Sequence, residues 1–230
     1  MRLKFVFNKE YDRATIERLK VMKKYGDEEI STLDGIYMSS KKVMEESRKA
    51  YEKNWRPIDE KFFKLVEKIT NYPWMFDNYE CVVTAINPGA SNWGTSNLIS
   101  LHWKINPYYV LRIIGHELIL HHYFGIIRKH YSDCGLNDGQ IWALSEIAAY
   151  TLTSLPKEMQ NFWPWHTNYM GSYFSGTAYP QLDELRKKLK KPFLERKNFD
   201  EYIRKGIKLV KKYNEGYLWE GKQRKDDKKI

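Results

Sequence analysis

Apolar and polar positions along this chain repeat with two different periods, and the period changes where one element gives way to the next. Residues 11–24 and 40–55 place apolar side chains three and four apart, which predicts two amphipathic helices. Breaks are expected at Gly26 and in a turn around Asp34-Gly35. Residues 58–71, opened by Pro57 and Asp59, predict a third helix. Residues 1–10 hold too short an apolar run for a signal peptide and read as an edge strand. The β-branched run at 80–86 predicts a strand, 87–97 a loop rich in Asn, Pro, Gly and Ser, and 98–104 a second strand.

Asn106-Pro107 then opens a helix, with Asn as the cap and Pro at its first position. Val110, Leu111, Ile113, Ile114, Leu118, Ile119 and Leu120 make that helix apolar almost all round, the mark of a core helix. After the turn signal Asn137-Asp138-Gly139, residues 139–153 repeat Ile141, Leu144, Ile147, Ala148 and Leu152 at helical spacing. Residues 161–180 are crowded with aromatics, but Pro164, Gly171, Gly176 and Pro180 keep them from forming one long helix. Two lysine-rich amphipathic helices, 181–191 and 198–213, precede a frayed tail.

A core helix has little reason to bury ionisable groups, yet residues 115–122 read Gly-His-Glu-Leu-Ile-Leu-His-His. His116, Glu117 and His121 are the residue types of a catalytic zinc helix: two imidazoles to hold the metal and a carboxylate to take a proton from its water. The usual spelling, His-Glu-x-x-His, puts both imidazoles on one face at i and i+4. Here Leu occupies position 120 and the second His comes one residue late. On a regular helix i and i+5 differ by about 140° around the axis. The spacing therefore predicts a π-type bulge between His116 and His122 that turns His121 back over His116.

This segment resembles the dipeptidyl-peptidase III family, which carries His-Glu-x-x-x-His on one bulged helix and binds zinc. Glu146, the only carboxylate in the helical run 139–153, is similar in placement to the third ligand of the gluzincin clan of metallopeptidases. The resemblance implies zinc ligands His116, His121 and Glu146, with Glu117 as general base. It also implies an α+β, zincin-like fold, a small mixed sheet packed on the active-site helix and a second ligand-bearing helix. In such folds the last strand before the zinc helix borders the cleft, so residues 98–104 would be the cleft edge. Zincins often place a Tyr or His where it can donate to the developing oxyanion. His166, Tyr169 and Tyr173 are the candidates, beside the reading that these aromatics simply cover core. His102 could face metal or solvent.

Composition bounds the rest. With 230 residues and 42% hydrophobic content, one sizeable core is expected in a single elaborated domain. Its parts are 1–75, the metal-site region 76–155 and the aromatic, helical 156–230. No apolar run of about 20 residues exists, so no membrane span is expected. Cys81 and Cys134 read as free thiols of a cytoplasmic protein. The net charge of +10 is spread over helices beside Glu and Asp, so a solvated lysine face is expected and nucleic acid is not. The leading expectation is a zinc metallopeptidase acting on a peptide or protein substrate. The alternatives are a zincin-like protein that binds metal without that activity, and a basic nucleic-acid-binding protein.

Overall fold

The computed structural model describes residues 1–21, 27–86, 89–91, 94–165 and 180–213. Four strands make one mixed sheet: β1 (Leu3–Val6), β2 (Tyr79–Thr84), β3 (Gly89–Ser91) and β4 (Leu98–His102), in the order β1-β2-β4-β3. β1, β2 and β4 run parallel, with Phe5 opposite Cys81 and Cys81 opposite Ile99. β3 is antiparallel to β4, with Ser91 opposite Ile99. The N-terminal strand does lie at an edge, as its sequence predicts. The proposed cleft edge is corrected: β4 has a neighbour on each side, and the opposite edge of the sheet is β3. Three residues, Gly89-Ala90-Ser91, carry no alternating pattern that could have marked a strand inside the 87–97 loop.

Three helices connect β1 to β2: α1 (Lys9–Val21), α2 (Asp27–Trp55) and α3 (Asp59–Thr70). α2 runs straight through Asp34-Gly35, where a turn was expected. A side chain at Gly35 would meet nothing, so that glycine sits on an open face, where it weakens a helix by about 1 kcal/mol without ending it. Leu33, Met44, Tyr51 and Trp55 form the buried stripe that outweighs it. Asp59, buried at the start of α3, ties three elements together. Its carboxylate accepts from the backbone N–H of Arg2 and of Leu3 and from the Trp55 indole.

The long central helix α4 (Val110–His130) is buried on nearly every side, as an all-round apolar sequence requires. The expected cap is corrected: the helix begins at Val110 with Tyr109 at its N-cap, and Asn106 instead closes a turn before it, its Oδ1 accepting from the Tyr108 N–H and its carbonyl from the Val110 N–H. α5 (Asp138–Ser154) packs against α4. Asn137 is that helix's cap, in a reciprocal capping box with Gln140, and not the middle of a turn. Arg128 meets Asp138, His116 meets Glu146 and Arg112 meets Ser154, so the two helices run antiparallel. The short α6 (Lys157–Gln160), α7 (Pro180–Leu194) and α8 (Phe199–Val210) close the far side. Among the described residues no helix is long and apolar enough to cross a membrane, and both cysteines are free thiols.

Candidate active site between two antiparallel helices

His116 faces α5, where Glu146 is the carboxylate presented to it. His116 Nε2 and Glu146 Oε2 are 3.0 Å apart. His116, Glu117 and Glu146 retain 5%, 8% and 8% exposure, while His121 retains none, so a solute can approach only the first three. Burial pulls the His116 pKa down, but the charge and hydrogen bond of Glu146 outweigh it and the net shift is upward. One residue on, burial pushes the Glu117 carboxyl up to about 7; His116 pulls it down and Glu146 adds to the rise. Burial above all raises the pKa of the Cys81 thiol on β2, and the charge of Glu117 adds to the rise.

Arg112, one turn before His116, is fully buried; its guanidinium donates to Ser154 Oγ at 2.6 Å and its charge opposes protonation of His116. The sequence reading passed over Arg112. Its signal was available, since a cation four residues before His116 in an apolar run shares that residue's face.

The predicted bulge is absent: α4 is a regular α-helix throughout Val110–His130. His121 accordingly lies away from the His116–Glu146 pair. Its Nε2 donates to the carbonyl of Ser96, and its ring meets the edges of Phe76 and Tyr79 at 5.7 and 5.2 Å. Burial lowers its pKa, with the Ser96 carbonyl partly offsetting the shift. His122 turns elsewhere again. Its Nε2 lies 3.2 Å from Thr70 Oγ1, its ring is tilted over Trp74 at 4.4 Å, and burial above all drives its pKa down to about 3. His102 is structural: its Nδ1 accepts from the Lys104 N–H, and its Nε2 donates to the Ala85 carbonyl. His166, Tyr169 and Tyr173 lie outside the described residues.

Two ligands held at roughly 2.0–2.1 Å by a tetrahedral zinc lie about 3.3 Å from each other. The Nε2–Oε2 separation of 3.0 Å at His116 and Glu146 is close to that, and one imidazole with one carboxylate is a suitable donor set. The Nδ1 of His116 is buried without a hydrogen-bond partner. His121 does not fit. Among the described residues no three His, Cys, Asp or Glu side chains converge as a metal-binding group. The fold and site thus define a mostly helical α/β protein with a buried His–Glu pair and a second carboxyl beside it. No protein-family profile, curated protein or solved structure matches the chain.

Proposed function

We propose that this chain is a zinc-dependent hydrolase of peptide bonds, zincin-like in plan, in which His116 and Glu146 hold the metal and Glu117 moves the proton of the attacking water. The observation that carries this reading is the pair of donor atoms, His116 Nε2 and Glu146 Oε2, facing each other across α4 and α5 with a buried carboxyl at the next position. When bound, zinc supplies a Lewis acid and lowers the pKa of its water to roughly 7. Glu117, itself raised to about 7, is matched to accept a proton and release it near neutral pH. Arg112 keeps a positive charge within reach of His116 that opposes its protonation; the larger influence of Glu146 runs the other way, so a metal would have to displace the imidazole proton to bind.

Purified protein should carry about one zinc per chain by elemental analysis, following the single pair of donors. His116→Ala and Glu146→Ala should lose it. Glu117→Gln should retain the metal and abolish cleavage of a mixed peptide library that the wild type cleaves. Stoichiometric zinc in His116→Ala would sink the site assignment, and cleavage by Glu117→Gln would sink the role of Glu117. A second reading, a zincin-like protein that holds metal without cleaving peptides, is favoured by one specific observation. His121, the expected third ligand, is engaged with Ser96. Zinc bound by a wild type that cleaves no peptide would decide for it.

A further inference from the structure

β3 and β4 form a hairpin at the end of the sheet, and residues 94–97 of its connection lie against α4. Two contacts fix them there. Gly94, at φ +74°, lies so close to the helix that a Cβ would stand 3.3 Å from the Gly125 backbone nitrogen and 3.6 Å from the His121 carbonyl oxygen. Glycine on both sides of the crossing permits that approach. The other contact is the His121 ring, fully buried, whose Nε2 donates to the Ser96 carbonyl. A backbone carbonyl in that setting needs a donor, and a neutral imidazole supplies one without bringing a buried charge. Among the described residues its Nδ1 is buried with no partner, and the ring's bond to a neighbouring segment is the one to Ser96. Leu98 and Ile99 follow directly, and Ile99 is registered against Cys81 of β2.

We infer that His121 is a positioning residue, the side chain that holds residues 94–98 on α4, and that it stands outside the metal-ligand set. The inference deepens the proposed function, but its decisive measurements do not depend on metal. In His121→Ala, hydrogen exchange at the amides of residues 94–98 should accelerate at least tenfold, with a lower Tm. In His121→Gln the carboxamide can still donate to the Ser96 carbonyl, so much of that protection should return. If wild type carries zinc, both variants should keep the wild-type stoichiometry while His116→Ala loses it.

Loss of zinc from His121→Gln to the level of His116→Ala would overturn the inference and restore His121 as a ligand. Unchanged exchange at 94–98 in His121→Ala would overturn it as well, whatever the metal content. If His121→Ala does not fold, His121→Leu, which fills the space without a donor, takes its place in the exchange measurement. Metal-free wild-type protein would sink the zinc reading alone and leave the exchange comparison intact.

Discussion

Asp12 shows how much one buried carboxylate can report. It has no exposure; its Oδ2 accepts from the Ala85 N–H and the Tyr37 hydroxyl, each at 2.8 Å, and its Oδ1 has no hydrogen-bond partner. Burial is the largest influence and raises its pKa above the ordinary 3.8, against the two hydrogen bonds that lower it. A carboxyl that binds its proton more tightly folded than unfolded favours the fold while protonated. The contribution of Asp12 to stability should therefore fall as pH rises from about 3.8 through the raised value. Asp12→Asn keeps an oxygen for Ala85 and Tyr37 and removes the titration, so the Tm of wild type minus that of the variant should decline with rising pH. A difference that grows with pH would mean that the hydrogen bonds outweigh burial. The same scale separates what sequence could tell about the site. His116, Glu117 and Glu146 were legible because ionisable side chains stand out in apolar helices. The fate of His121 was not, because its partner is the backbone carbonyl of Ser96, and every residue has one.

Among elements, the helices were readable wherever their apolar stripes were long. The misreadings came from punctuation. Gly35 and Asn137 are both turn-forming residues, yet one lies on the open face of a helix and the other caps one. Composition alone does not separate a cap from a break, since both use the same local hydrogen bonding. β3 was invisible because three small residues become a strand only by pairing with β4. A glycine with real steric meaning precedes the site. A Cβ on Gly115 would stand 2.9 Å from the Trp163 ring and 3.1 Å from the Phe62 ring. Trp163 is fully buried and its indole donates to the Thr153 carbonyl at 3.0 Å, so it cannot swing aside. Alanine gains about 1 kcal/mol of helix propensity, but overpacking costs 1–3 kcal/mol or so and leaves His116 displaced. Gly115→Ala should therefore be destabilised by about 1–2 kcal/mol in urea titration. A more stable variant would show that Trp163 yields.

For the whole molecule, the site's position decides how metal should act on stability. α4 and α5 are the most extensively packed pair of helices in the fold, and the His116–Glu146 pair lies in their interface. Neither helix can detach without opening the main core, which takes in Leu118 and Tyr123 of α4, Leu144 and Ile147 of α5, and Ile203 of α8. A ligand bound there to the folded chain alone adds to global stability, by about 4 kcal/mol at a thousand times its dissociation constant. For a chain of this size that is roughly an 8–16 °C rise in Tm. Chelation of the purified protein should lower its calorimetric Tm by an amount of this order, and added zinc should restore it. His116→Ala should melt at one temperature with or without chelator. The lysine-rich surface gives no competing account of such a shift; some of its lysines are paired with neighbours, as Lys187 is with Asp183 and Lys205 with Glu201. Exposed pairs of that kind respond to salt and not to a divalent chelator. If stoichiometric zinc is found and its removal leaves Tm unchanged, the metal sits on the surface, and the helix interface is the wrong place to look for it.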